Sequence, residues 1–523
     1  MINRAEDPIT ATVIQAGLVA AADEMFAVLK KTAMSPIIYE VLDVGTGITD
    51  RDGELVSSGA GIPTFVGVLD KAVKRIVALH GLENIGDGDC FVTNDPYYGG
   101  VTHLNDVVIA LPVFVEGECV AWTASIAHWN DVGGKTPGSM AVDVSEIFQE
   151  GLRLPAVKLF DRGKPIPSVF DIIAANSRLP DFVLGDLWAQ VAASRKAETR
   201  IRQLVETYGP ESYHAALRDL FEEGARRGHA GLGAIPHGTY PVEEEQDDGA
   251  IWRASITITR DRFTVDLTGN PRQRDAPYNT SRDGAVISCQ MIFKALTDPT
   301  LFANAGSFRA LEVITEPGTI FHAEGSAPHG YYFETRIRLY DMLWRCMAEA
   351  MPERLPAGHF ASICGTVIAG DHPDTGRRYT MVEPQMGGWG ATAARDGLDA
   401  MYSASHGETF NCPVEICEAR YGIDVGHKRL NESQEGRGLH TGGKGLSVSY
   451  RPRGRAVLSA GYSRNRHPAW GLADGEDGGI NGLSIVRRDG ARERHAFVSG
   501  LVVEPGDEIL IDTANGGGWG RPA

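Results

Sequence analysis

Two apolar runs, 107–113 and 119–126, sit between loops dense in Gly, Asn, Asp and His. Short apolar runs bounded by turn-forming residues read as buried strands. Strands hold the side chains of the loops at their ends rigidly, so polar residues there mark where sites are built. The segment 94–106, NDPYYGGVTHLND, is the densest polar stretch of the chain and leads into the first run, while 127–134, AHWNDVGG, closes the second. The stretch from 86 to 140 therefore reads as strands alternating with polar loops, the kind of place where a site is built.

The rest of the chain supplies helices and further strands. Ile14, Leu18, Met25 and Leu29 share one face of a predicted helix over 10–31, with Thr10 as its N-cap. Asp50-Arg51-Asp52-Gly53 marks a hairpin turn. Leu69, Val73, Ile76 and Val77 give helical spacing over 65–80, stopped by Gly81. Two helices are expected over 181–228, punctuated by Gly209-Pro210, and a hairpin pairs 254–258 with 263–267. A helix follows at 335–351, and the last hundred residues are Gly-rich with short strands. At 523 residues the chain predicts two to four structural units. The expected fold class is α+β (mixed α/β) and multi-subdomain, with a β-rich, Gly-rich C-terminal portion. Its expected divisions are 1–230, carrying the candidate site and flanking helices, a mixed α/β region 231–420 and a β-rich region 421–523.

Charge narrows the partners. The net charge is −18, and nucleic acid or an anionic membrane surface needs a basic face instead. The segment 13–29 is the most apolar near the start, but Asp23 and Glu24 interrupt it and no basic start or cleavage site accompanies it. A cytoplasmic protein with no membrane or nucleic-acid partner is expected. The seven cysteines are scattered without a CxxC, which suggests neither a zinc ribbon nor a disulfide framework.

His103, Asp106 and His128 are the residues that point to chemistry. Two imidazoles and one carboxylate can bind one face of Mn, Fe or Zn and leave other positions free. HxxD is a short pattern, and a histidine in a Gly-rich loop also serves as a hydrogen-bonding group, so spacing alone leaves both readings open. Asp95, before Pro96, reads as a turn residue. Gly134-Lys135-Thr136 lacks the glycine a P-loop needs five positions before Gly134, where Trp129 stands. The Gly-rich tail lacks the strand–GxGxxG–helix context of a dinucleotide site. No nucleotide site is expected in this chain.

The runs NDPYYGGVTHLNDV, AHWNDVGGKTPGSM and EIFQEGLRLP resemble the hydantoinase B family. That family includes the large subunits of N-methylhydantoinase, bacterial 5-oxoprolinase, caprolactamase and the acetone and acetophenone carboxylases. The resemblance continues through Asn176-Ser177-Arg178, Gly185-Asp186-Leu187 with Gln190, Val265-Asp266-Leu267-Thr268-Gly269, Pro505-Gly506-Asp507 and the terminal Asn515–Gly520. It implies one divalent metal (Mn, Fe or Zn) on His103, Asp106 and His128, with Asp43 completing the sphere. It also implies a hetero-oligomer in which a hydantoinase A-type, actin-like ATPase subunit uses ATP and Mg to phosphorylate the carbonyl of a small cyclic amide. The metal side then opens the ring of a hydantoin, 5-oxoproline or lactam. The alternative is a subunit of an ATP-dependent ketone carboxylase, which needs bicarbonate. Asp131 is a candidate for orienting water or a liganding imidazole, or else a turn residue before Gly133. Three departures bear on substrate class: Phe65 and Trp129 stand where many members have His, and Asn431-Glu432-Ser433-Gln434 replaces an Asp-Ser-Gly-Gly stretch.

Overall fold

The computed structural model describes residues 7–404, 406–407, 409–433 and 435–522, so Gln434 lies outside the described residues. The chain begins with α1 (Pro8–Thr32), whose N-cap is Asp7. Its carboxylate accepts the backbone N–H groups of Ile9 and Thr10 at 3.1 and 3.2 Å. Thr10 is therefore not the cap expected from sequence. It lies inside the first turn and donates its hydroxyl to Asp7. By length and composition α1 is apolar enough to cross a membrane. In the structure it packs along a later helix and the edge of a sheet, burying Ile14, Leu18, Met25 and Leu29. Glu24, one of the charges interrupting its apolar face, pairs with Arg200 and Lys196.

A short helix, α2 (Pro36–Tyr39), leads to the hairpin β1 (Val44–Asp50) and β2 (Leu55–Gly61) across the predicted turn. Then come α3 (Pro63–His80), β3 (Cys90–Thr93), β4 (Asp106–Val115) and β5 (Glu118–His128). After them run β6 (Val157–Asp161), β7 (Lys164–Pro165), α4 (Pro167–Ala175), α5 (Pro180–Tyr208) and α6 (Pro210–Leu232). The strands form one antiparallel sheet in the order β2-β1-β5-β4-β3-β6-β7. Side chains alternate across a strand, and both faces of β4 are covered. Val107, Ile109, Leu111 and Val113 join the core with α1 and α5, while Val108 and Ala110 join the core under α3. That double burial is why the two central strands read as continuous apolar runs.

The middle of the chain holds β8 (Gly238–Glu245), β9 (Ile251–Ile258), β10 (Phe263–Asp266), α7 (Arg282–Thr297), β11 (Leu311–Ile314) and α8 (Tyr332–Ala348). Its four-stranded sheet, β11-β10-β9-β8, packs with α7 and α8 around a second core. The remainder consists of β12 (Gly365–Asp371), β13 (Arg378–Glu383), α9 (Val414–Tyr421), β14 (Ile423–Leu430) and β15 (Leu446–Pro452). The last strands are β16 (Ala456–Gly461), β17 (Gly482–Val486), β18 (Arg492–His495), β19 (Phe497–Val503) and β20 (Glu508–Asp512). They build two sheets, β13-β12-β16-β19 and β14-β15-β20-β17-β18. Backbone pairing in the first of these joins residues on both sides of position 420. The architecture is thus mixed helix and sheet in several subdomains, with a β-rich C-terminal part.

Candidate metal centre

Strand register assembles the site. Asp106 opens β4 and His128 closes β5, and the two are direct partners across the antiparallel ladder. Next to them, Val44 of β1 pairs with Ala127, and the His128 N–H donates to the Asp43 carbonyl at 3.1 Å. Asp43, His128 and Asp106 therefore stand side by side at one end of β1-β5-β4. His103 arrives from the preceding loop, whose turn is closed by the Asp106 N–H donating to the His103 carbonyl at 3.1 Å. The HxxD spacing is the length of that turn. Leu42, just before Asp43, has a φ of 63°, a conformation that costs a non-glycine residue energy and tends to occur at functional sites.

The donor atoms converge. Nε2 of His103 and Nδ1 of His128 lie 3.0 and 3.2 Å from Asp106 Oδ1. The three ligand atoms all fall within 4.8 Å of one another, and all three residues are buried. Asp43 Oδ2 stands farther out, 3.9 Å from His128 Nδ1. His103 donates its Nδ1–H to the Gly330 carbonyl at 3.1 Å, which leaves its Nε2 facing a carboxylate oxygen. The other oxygen of Asp106 accepts the hydroxyls of Thr102 at 2.5 Å and Tyr332 at 3.2 Å.

Electrostatics fit a cation. Burial acts to lower His103, but the charge and hydrogen bond of Asp106 outweigh it and raise its pKa. Burial would raise Asp106, yet the charge and hydrogen bond of His103 and those of His128 hold it well below the usual carboxylate range. Burial first, then the charge of Asp106, pushes the Asp43 carboxyl well above that range, and burial lowers His128. A cation among these groups relieves the repulsion between two buried carboxylates. Two further polar atoms, Asp43 Oδ1 and His128 Nε2, are buried without a hydrogen-bond partner among the described residues. Such atoms are rare unless something else satisfies them. Orphaned polar atoms, a shared carboxylate oxygen and a two-imidazole donor set together fit one divalent metal.

The cavity at the donors measures about 40 Å³, room for an ion and about two waters. Phe65, Met140, Phe333, Ile363 and Val382 supply its apolar wall, and His406 adds an imidazole. Of the two departures from the family's histidines, Phe65 therefore faces the centre. Trp129 points the other way, buried, with its indole N–H on Gln190 Oε1 at 2.9 Å.

Among the described residues, the hydrogen bonds of Asp131 go to a loop and to Arg178 rather than to an imidazole. Its carboxylate accepts the backbone N–H groups of Gly133, Gly138 and Arg178 and pairs with the Arg178 guanidinium at 3.0 Å. Arg178 also donates to the carbonyls of Gly133, Gly134 and Thr136. The pair ties the loop after His128 to the residues leading into α5, so the turn reading of Asp131 describes its contacts. Gly133 and Gly134 have φ of 91° and 78°, and a Cβ on either would stand 2.6 Å from a backbone oxygen of Asn176 or Glu150. No helix of P-loop kind follows them, and Lys135 pairs with Asp143. Asp95 is a turn residue, accepting the N–H groups of Tyr97 and Tyr98 and pairing with Arg153.

Sequence reasoning missed Tyr332, the Gly330 carbonyl, Glu150 and His406. The signal for the first two is the ring-rich run His329-Gly330-Tyr331-Tyr332-Phe333, which opens α8 three residues before the predicted start at 335. Glu150 lies within the EIFQEG motif, and its carboxylate accepts the N–H groups of His329 and Gly330. His406 is pushed down to about 3, by burial first and then by the charge of Arg336. No flanking apolar run marked it.

The profile of the hydantoinase B/oxoprolinase family matches residues 7–522. The chain is 33% identical to an uncharacterised protein of Methanocaldococcus jannaschii, over 99% of this chain and 91% of that protein. It is 30% identical to the B-type subunit of a putative D-/L-hydantoinase from a Pseudomonas species (99% and 90%). It is 29% identical to the beta-type subunit of the caprolactamase of Pseudomonas jessenii (99% and 91%). Among solved structures, that of ATP-dependent caprolactamase from Pseudomonas jessenii superposes with a TM-score of 0.90 at 26% identity, over 99% of this chain and 91% of that one. An acetone carboxylase chain superposes with a TM-score of 0.87 at 19% identity (99% and 76%), which speaks to the fold alone.

Proposed function

Because the chain belongs to the hydantoinase B/oxoprolinase family, we propose that it is the metal-binding subunit of an ATP-dependent cyclic amidohydrolase. Its substrate class is a hydantoin, 5-oxoproline or lactam. The observation that carries this reading is the buried His103–Asp106–His128 donor set at a small cavity. His103, Asp106 and His128, with Asp43 beside them, would hold one divalent ion, Mn, Fe or Zn. When bound there, such an ion acidifies water and polarises a carbonyl.

The chain's own residues prepare that chemistry. The Gly330 carbonyl fixes the His103 tautomer, so its Nε2 presents a lone pair. Thr102 and Tyr332 engage one oxygen of Asp106 and leave the other for the centre. The apolar wall excludes bulk water, which strengthens every charge interaction inside. Phe65, where a histidine is common, makes this wall less polar and bears on which ring is accepted.

Phosphorylation of the ring carbonyl falls to a second subunit, a hydantoinase A-type, actin-like ATPase using ATP and Mg. One observation supports this division: two relatives are themselves named as one subunit of their enzymes. All seven cysteines are unpaired and buried, which suits the cytoplasm. The test is reconstitution with the ATPase subunit, following phosphate release and ring-opened product together, with and without bicarbonate. A cyclic amide should open without bicarbonate, and Asp106→Ala should keep ATP cleavage while losing product by roughly 100-fold or more. Turnover that strictly needs bicarbonate and opens no cyclic amide would replace this function with ketone carboxylation.

A further inference from the structure

Residues 326–332 form a strap that crosses over the donor set from a distant part of the chain. It delivers two groups, the Gly330 carbonyl on His103 Nδ1 at 3.1 Å and the Tyr332 hydroxyl on Asp106 Oδ2 at 3.2 Å. The strap is pinned from several sides. Tyr97 donates its hydroxyl to the Ala327 carbonyl, Asn279 donates to the Pro328 carbonyl, and the Ile147 N–H donates to the Ser326 carbonyl. One charged side chain holds its centre: Glu150 accepts the Gly330 N–H on Oε1 at 2.5 Å and the His329 N–H on Oε2 at 3.0 Å.

We propose that Glu150 is a positioning residue for His103, holding the 329–330 amides so that the Gly330 carbonyl fixes the ring that would ligate the metal. The inference rests on the metal reading above and goes beyond it. Three observations carry it. Glu150 is buried, and both of its oxygens are spent on adjacent amides of one strap. The residue it grips is the one whose carbonyl touches His103. A Cβ at position 330 would stand 2.9 Å from Glu150 Oε1, so a side chain there would push the carboxylate off the strap. Burial also pushes the Glu150 carboxyl up to about 7 against its two hydrogen bonds, a cost that a neutral acceptor avoids. Carboxylates and carbonyls that orient a liganding histidine commonly change metal affinity 10- to 100-fold.

The experiment uses the full chain as wild type, Glu150→Gln, Glu150→Ala and His103→Ala. Affinity for Mn and Zn is measured by competition with a chelator, ion-free stability by calorimetry, and the visible spectrum after loading with Co at saturation. Glu150→Ala should bind about 10- to 100-fold more weakly. Glu150→Gln keeps one acceptor oxygen and should recover part of that loss. Its Co spectrum should still differ from wild type, because a merely structural defect leaves the ligand field of the folded, loaded protein unchanged. If Glu150→Ala does not fold, Glu150→Gln carries the test alone, with weaker binding and an altered spectrum expected. Wild-type affinity and spectrum in the Glu150 variants, with binding lost in His103→Ala, would overturn the positioning role and leave the metal centre standing. Wild-type binding in His103→Ala as well would overturn both.

Discussion

Asp106 divides its two oxygens between neutral hydroxyls and imidazoles, and that division sets the character of the centre. A buried carboxylate left alone costs several kcal/mol; here each oxygen has partners. Glu150 is the contrasting case, an acid whose ordinary value near 4.5 moves to about 7 when folded. A raised carboxyl pKa means the folded state keeps a proton that the unfolded chain has already released. Stability from this group is complete below about pH 4.5 and is lost as pH rises to about 7, on the order of 3 kcal/mol. Unfolding of metal-free wild type and Glu150→Gln between pH 4.5 and 7.5 should therefore show the variant gaining on wild type as pH rises. A gap that does not change with pH would assign the proton elsewhere. At this scale His103, Asp106 and His128 were legible because they flank strands in one short stretch. Tyr332 at the start of α8, His406, and Glu150 behind the Gly330 carbonyl come from remote segments, and no local periodicity reports such meetings.

Among the elements, β4 and β5 decide the geometry, since their register puts Asp106 opposite His128. The loop after β5 depends on the Asp131–Arg178 pair. Asp131 is buried and Arg178 is about a quarter exposed, so losing the acid leaves three amide donors unpaired and the guanidinium without its counter-charge, though still on three carbonyls. Asp131→Ala should cost about 2–3 kcal/mol, read as a lower midpoint in urea, and should lower ion occupancy through loss of loop order. Retained stability would show that the loop stands without it. Leu18, fully buried on α1, gives a second check: Leu18→Ala should cost about 2–5 kcal/mol by chemical unfolding, with metal content unchanged. A cost below about 1 kcal/mol would mean α1 contributes little to the core. The positions of α1, α3, α5, α6 and α8 were legible from helical spacing, whereas α4, α7 and α9 were not read. The starts of α1 and α8 were not legible either, because Asp7 caps ahead of the apolar face and α8 begins within an aromatic run.

At the scale of the molecule, sheets knit distant segments, and this is what sequence order conceals. β12 pairs with β16 across position 420, and the strap over the donors lies more than 200 residues from His103. Turns and strands can be read locally; which strands become neighbours depends on long-range closure, whose loop entropy grows only slowly with length. The division of labour makes its own prediction. The isolated, homogeneous chain should neither hydrolyse ATP nor open a ring, and robust ATP hydrolysis by it alone would contradict a separate ATPase subunit. The central claim is the metal itself, and elemental analysis of the purified chain tests it most directly. Wild type and Asp95→Asn, whose site is a turn, should each carry about one Mn, Fe or Zn per chain, while His103→Ala, Asp106→Ala and His128→Ala should carry little. Equal metal in wild type and all three ligand variants, or none in a wild type purified and reloaded with each ion, would contradict the account.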